Sequence, residues 1–284
     1  MAKVGIITDT TNCLPPELIR ELEIRIAPMT YTMEGKTYRD GVDITRDDFY
    51  KIFKNLTQPT YTTGVTIKDF LEAFRKTGET TSDILAIVIS GGLSATYKAA
   101  LSAKELMQSE APGIKIEVLD SRTVLGALGF IVLEAARGAK AGMDLNQVLE
   151  IAKNMMPRVR WMFMVESLKY LIKCGRAPKV GGWVGEMLNV KPILGMSGPA
   201  GVVQPIERIR GRDKAIVRMI ELAKKDIGEK PAHLIIHFAE MAEEGEKLKK
   251  LIFPQINSVE VYVSEFTPIM MLSTGPVLGL SYYV

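Results

Sequence analysis

Short apolar runs and amphipathic stretches alternate along the first half of the chain. Val4-Gly5-Ile6-Ile7 has the length and character of a strand, and Thr8-Asp9-Thr10-Thr11 and Pro15-Pro16-Glu17-Leu18-Ile19 follow it. The side-chain oxygens from Asp9 to Asn12 suit a turn and a helix cap. The two prolines suit a helix start, where a missing N–H costs nothing. The unit recurs at Ile84 to Ser90, followed by Gly91-Gly92 and the helical pattern of Tyr97 to Met107. It recurs again at Ile114 to Leu119, followed by Asp120-Ser121 and a helix through Arg137. Near-continuous apolar strands joined by helices predict an α/β fold whose mainly parallel sheet is covered on both faces.

From about Arg158 the pattern changes to α+β. Trp161-Met162-Phe163-Met164-Val165 reads as a strand, and Ser167 caps a short helix. Lys191 to Met196 and Val202 to Arg210 read as neighbouring strands with a Gly/Pro turn between them. Asp213 to Lys225 is an amphipathic helix, with Ile216, Ile220 and Ala223 opposite Arg218, Lys224 and Lys225. Further strands are expected at His233 to Phe238 and Val259 to Val263. The boundary falls near residue 158, giving an N-terminal α/β domain (1–158), a C-terminal α+β domain (159–284) and a cleft between them.

Composition narrows the function classes. The 284 residues are 47% hydrophobic with a net charge of +3, enough chain to close a core without metals or disulfides. The longest apolar run, Val124 to Leu133, is far short of the ~18 residues of a membrane helix. Met1-Ala2-Lys3 leads directly into strand-like sequence, no segment has a signal-peptide pattern, and the two cysteines are distant, so a reduced cytoplasm is expected. The charge is small and unclustered, which argues against nucleic acid. Fifteen methionines against 9 Phe and 2 Trp are the oddest feature: they fill a loosely specified core or shape a pocket for a flexible apolar guest.

The chemistry-bearing residues are few. In Ser90-Gly91-Gly92-Leu93-Ser94-Ala95-Thr96, the glycines permit a tight turn and Ser94 stands where the next helix begins. That position describes either an ordinary N-cap or an anion site made of a hydroxyl and free helix-end N–H groups. Gly92-Leu93-Ser94-Ala95-Thr96 also approaches a nucleophile elbow, with Thr96 in place of the final glycine. The only candidate bases are His233 and His237, which share one face of a strand and read as structural. They lack a third metal ligand close in sequence. Thr60-Tyr61-Thr62-Thr63-Gly64 reads as a hydroxyl-rich loop, able to meet Ser94 at the carboxyl ends of the sheet. Gly175 after Lys173-Cys174 reads as a helix C-cap that projects Arg176.

With those residues in hand, the chain resembles the DegV family, bacterial fatty-acid-binding proteins. The resemblance runs from Thr8-Asp9-Thr10 to the C-terminus. It passes through Pro28, Tyr38-Arg39-Asp40, Thr62-Thr63, Leu93-Ser94-Ala95-Thr96-Tyr97, Asp120-Ser121, Leu168-Lys169-Tyr170-Leu171, Gly175-Arg176, Lys191-Pro192-Ile193-Leu194 and Gly275-Pro276. It implies a long-chain fatty acid in a tunnel between the domains, its carboxylate held by Thr62, Ser94 and the Ala95 N–H, with Arg176 nearby. Thr63 and Ser273 are further ligand-site candidates. Met162, Met164, Met270 and Met271 become candidate tunnel lining. The resemblance also implies a non-catalytic protein, without a cofactor beyond its bound fatty acid, that presents the acid to an ATP-dependent fatty acid kinase and touches a membrane surface transiently. A lipid-responsive regulatory module without a kinase and a serine hydrolase using Ser94 are the alternatives. The chain departs from the family pattern at Gly64-Val65, at Ala95, and at Ser273, where the family carries a histidine before Gly-Pro-Gly.

Overall fold

The computed structural model describes residues 3–177, 189–196, 201–240 and 242–284. Strand β1 (Val4–Asp9) passes through a 3-10 turn (Thr10–Asn12) into α1 (Pro16–Glu21). Next come β2 (Arg25–Ala27), β3 (Thr30–Met33), β4 (Lys36–Arg39), α2 (Arg46–Lys54), β5 (Tyr61–Thr63) and α3 (Ile67–Gly78). They are followed by β6 (Asp83–Val88), α4 (Thr96–Glu110), β7 (Lys115–Asp120), α5 (Leu125–Lys140) and α6 (Leu145–Met155). The remainder comprises β8 (Arg160–Val165), α7 (Lys169–Cys174), β9 (Val190–Met196), β10 (Val203–Arg210), α8 (Arg212–Ile227) and β11 (Ala232–Phe238). The chain closes with α9 (Ala242–Ile252), β12 (Ser258–Glu265), α10 (Pro268–Thr274) and β13 (Val277–Tyr283).

The fold is α/β, as the pattern predicts. Strands β2-β1-β6-β7 form a parallel sheet in that order. A second sheet runs β10-β9-β8-β13-β11-β12, antiparallel except for the β11–β12 pair. The apolar run of β6 sits centrally between β1 and β7, and Ile84 to Val88 are all fully buried there. The Gly/Pro turn expected between β9 and β10, at 197–200, lies outside the described residues.

One expectation is overturned. Thr60 to Gly64 is not simply a loop: Tyr61–Thr63 is the outer strand of a small antiparallel sheet, β4-β3-β5, with Thr62 opposite Tyr31 and Thr63 opposite Thr30. β-Branched and aromatic residues favour a pleated edge once a partner strand is available, and β3, some thirty residues away in sequence, supplies it.

Helix α5 is the layer shared by the two large sheets. It packs on β1 and β6 on one side and on β8 and β13 on the other, so nearly its whole circumference is buried. Gly129 permits the approach: a Cβ there would lie 2.6 Å from the Asn12 carbonyl oxygen. One continuous core therefore joins the parallel sheet to the inner face of the second sheet, and Phe130 meets Tyr283 edge to face at 4.9 Å. A second core lies on the other face of the six-stranded sheet, under α8. At the rim, Arg137 of α5 bonds Glu260 of β12 at 2.8 Å, and His233 bonds the same carboxylate at 2.7 Å. Burial opposes ionisation of Glu260, but hydrogen bonds from Arg137, Tyr262 and His233 prevail and hold it at about 2.

Candidate functional site

An apolar cavity opens between the carboxyl ends of the parallel sheet and the inner face of the six-stranded sheet. Met29, Ile89, Leu93, Val124 and Leu125 line it from the N-terminal half. Trp161, Phe163, Leu171, Val203, Ile269 and Met270 line it from the other. The Trp161 and Phe163 rings stack with centroids 5.0 Å apart, and the indole N–H donates to the Thr123 hydroxyl at 3.1 Å, so this wall is fixed in orientation.

Hydroxyl groups gather toward the mouth. Thr62, Thr63, Ser94, Arg176 and Ser273 all line the cavity, and Thr62 and Arg176 also line the adjoining surface recess beside Lys173 and Cys174. The turn after β5 presses directly on the Ser94 loop: a Cβ on Gly64 would lie 2.7 Å from Thr96 Oγ1 and 2.9 Å from Ser94 Oγ. The missing side chain at Gly64 thus lets these two segments touch. Val65 N–H donates to Thr96 Oγ1 at 3.2 Å, and Thr96 Oγ1 lies 2.8 Å from Ser94 Oγ. Ser94 Oγ also accepts the Thr96 N–H at 3.2 Å. With Thr96 donating to Ser94, the Ser94 hydroxyl proton is left for an acceptor in the cavity.

Ser94 is not itself the N-cap. Helix α4 starts at Thr96 with Ala95, which has no capping side chain, as the flanking residue, and Ser94 one position earlier takes the first helical N–H. Ala95 is not among the described residues that line the cavity, although it directly follows Ser94, which does. Gly175 caps α7 with φ +69°, as its sequence position predicts. Arg176 follows on an exposed turn, its guanidinium turned back to the Cys174 carbonyl, and is the one cation among the described lining residues.

The methionines divide. Met270 lines the cavity from α10, whereas Met271, one helical step round, is fully buried in the adjoining core. Met162 and Met164 are a correction: they face away from the cavity into the second core, against α8 residues such as Ile216 and Met219. Strand side chains alternate faces, and Trp161 and Phe163 hold the cavity side. Both faces of β8 are apolar because both are covered, so the sequence carries no parity signal. Thr11 and Thr274 also line the cavity unforeseen. Thr11 is set by Asp9, whose Oδ1 accepts its N–H at 2.9 Å and its hydroxyl at 2.5 Å. The recurring strand–turn–helix unit at Thr8-Asp9-Thr10-Thr11 was the available signal.

No histidine, aspartate or glutamate is among the described lining residues. His237 is buried and bonded to the Ser281 hydroxyl at 3.0 Å, and burial lowers its pKa to about 3. His233 is held by Glu260 and stacks on Tyr283 at 4.3 Å. Both are structural, and neither serves Ser94 as a base. No cluster of metal-ligating side chains occurs among the described residues, and no helix there is long and apolar enough to cross a membrane.

Fold and site together define a class: an α/β protein whose two larger sheets enclose an apolar cavity with hydroxyl donors at its mouth. Residues 3–284 match the family described as "Uncharacterised protein, DegV family". A DegV domain-containing protein of Caldanaerobacter subterraneus is 34% identical over 238 residues, covering 83% of this chain and 82% of that one. The chain belongs to the DegV family. Among solved structures, DegV of Bacillus subtilis, described as a fatty acid binding protein, superposes with a TM-score of 0.85 at 27% identity. It covers 100% of this chain and 99% of its own. A DegV family protein of Thermus thermophilus, described for its fatty acid binding, gives a TM-score of 0.85 at 25% identity with the same coverage.

Proposed function

We propose that this chain binds one long-chain fatty acid in the cavity, tail against the Trp161–Phe163 wall and carboxylate at the mouth. The observation that carries the reading is the makeup of the lining: mostly apolar walls, hydroxyl groups among which Thr62, Thr63 and Ser94 are more exposed than Thr11 and Thr274, and no acidic side chain among the described residues to repel a carboxylate. Thr62, Thr63, Ser94 and the Ala95 N–H are the proposed head-group donors, with Arg176 and Ser273 beside them. The fatty acid binding described for the Thermus and Bacillus relatives supports it. Burying ~15 methylenes at ~0.8 kcal/mol each favours binding by about 12 kcal/mol before ordering costs, so the head-group bonds chiefly set orientation. The division into domains 1–158 and 159–284 belongs to the same reading, with the tunnel between their sheets.

The proposed role is presentation, not catalysis: a carrier that offers its carboxylate to an ATP-dependent fatty acid kinase after brief contact with a membrane surface in the cytoplasm. Supporting this, the recess continuous with the mouth bears Lys173 and Arg176 beside Tyr61, which is 64% exposed. Native mass spectrometry of chain purified from a bacterial host tests binding, and a fatty acid retained at one per chain is expected. Repeated recovery of chain that neither retains nor takes up an acyl chain defeats the reading. Acyl phosphate formation with a kinase and ATP then separates a kinase partner from a regulatory module that only senses lipid.

A further inference from the structure

The loop that carries Ser94 is held from both sides by aspartates. Strand β6 lies between β1 and β7, and each of those strands ends on an aspartate, Asp9 and Asp120. Asp9 Oδ2 accepts the Ile89 N–H at 2.7 Å. Asp120 Oδ1 accepts the Gly91 N–H at 3.1 Å and the Arg122 N–H at 2.9 Å. Between them, Ser90 donates its N–H to the Thr123 carbonyl at 2.9 Å, and its Oγ accepts the Gly92 N–H at 3.1 Å. The N–H groups of Leu93 and Ser94 return to the Ser90 carbonyl at 2.9 and 3.1 Å. Every backbone N–H from Ile89 to Ser94 is therefore taken, and that of Thr96 goes to Ser94 Oγ. Among the described residues, the Ala95 N–H alone in this loop has no acceptor.

We infer that Asp120, with Asp9 opposite it, is a positioning residue for the ligand carboxylate: by engaging the Gly91 N–H it fixes the loop so that the Ser94 hydroxyl and Ala95 N–H point into the mouth. This rests on the fatty acid reading and deepens it. Asp120 is not among the residues lining the cavity, so it acts through the loop. Hydrogen bonds weaken steeply with misalignment, and a loop ordered before the ligand arrives does not have to be ordered by it. Asparagine at 120 keeps an oxygen for both N–H groups and gives up the charge and the Oδ2 acceptor that faces Arg122 Nε at 3.0 Å. Alanine removes the acceptor altogether, and the exposed Gly91 N–H then turns to water.

The test compares palmitate with hexadecanol, ligands of equal tail length, on the full chain. Asp120→Ala is expected to weaken palmitate about tenfold and hexadecanol less than about twofold, while Asp120→Asn keeps both within about twofold of the unaltered chain. Should Asp120→Ala fail to fold, Asp120→Ser carries the same expectation, since its hydroxyl satisfies the neighbouring Arg122 N–H but is one bond too short for Gly91. Equal losses for both ligands, no loss, or loss of palmitate selectivity in Asp120→Asn overturns the inference. An unaltered chain that binds palmitate without preferring it over hexadecanol also overturns it. If the unaltered chain binds neither, the fatty acid reading fails first and the inference falls with it.

Discussion

Ser94 Oγ lies 2.8 Å from Thr96 Oγ1, and Thr96 in turn accepts the Val65 N–H from the segment that follows β5. This pair joins the two sequence segments that carry the proposed head-group donors. Removing the Ser94 hydroxyl deletes one charge-assisted bond to the carboxylate, worth about 1.5–3 kcal/mol. Ser94→Ala is expected to weaken palmitate binding roughly ten- to hundredfold, measured by displacement of a fluorescent fatty acid, with little change in melting temperature. Unchanged affinity removes Ser94 from the head-group site.

Gly64 tests the same junction from the other side. A methyl at this position would sit 2.7 Å from Thr96 Oγ1 and 3.2 Å from the Thr96 nitrogen, which is backbone and yields little. Gly64→Ala is expected to cost about 1–3 kcal/mol of stability through overpacking and to weaken palmitate binding along with it. Thermal melts and titrations that match those of the unaltered chain contradict the close approach.

Neighbouring residues of β8 are expected to behave oppositely. Phe163→Ala enlarges the cavity, shifting the retained acyl chains toward longer or bulkier species in native mass spectra. Met162→Ala leaves a hole under α8 and costs about 2–5 kcal/mol without altering that distribution. An altered ligand profile in the Met162 variant would restore the methionine to the tunnel wall.

That contrast shows what was legible beforehand and what was not. The buried run of β6 and the one-sided apolar stripe of α8 announce their elements, because each is covered in a way its own sequence records. The choice between Trp161 and Met162 is not recorded, since both faces of β8 are buried. Nor is β5, whose strand character comes from pairing with β3, nor the contribution of Thr11, which depends on the Asp9 carboxylate. Ser94, Thr62 and Thr63 stood out as candidates because hydroxyl groups beside glycine turns at a sheet's carboxyl end are chemically distinctive, and their proposed ligand role came from the family resemblance. Val203 and Leu125 are ordinary apolar residues, and only tertiary packing makes them walls.

Acid–base behaviour gives a separate check on the scaffold. Burial raises Asp40 from 3.8 to about 7, although the Thr10 and Thr267 hydroxyls and the Ile269 N–H face it. The folded chain therefore holds this proton more tightly than the unfolded chain, and the contribution to stability is lost as pH rises from about 4 through 7. Asp40→Asn is expected to be more stable than the unaltered chain at pH ~8, by on the order of a few kcal/mol, with the gap closing toward pH ~4. His237, lowered by burial from 6.5 to about 3, acts with opposite sign between those values, so the difference between the two chains' melting curves is the readout. A gap that does not change with pH contradicts the buried, proton-holding Asp40.

The central claim is tested most directly by a crystal structure of the chain grown with palmitate. The account predicts the acyl tail between the Trp161–Phe163 wall and Leu125, with the carboxylate within hydrogen-bonding distance of Ser94 Oγ and the Ala95 nitrogen on one side and Thr62 on the other. A tail lying outside this cavity, or a carboxylate at the end away from Ser94, would contradict it.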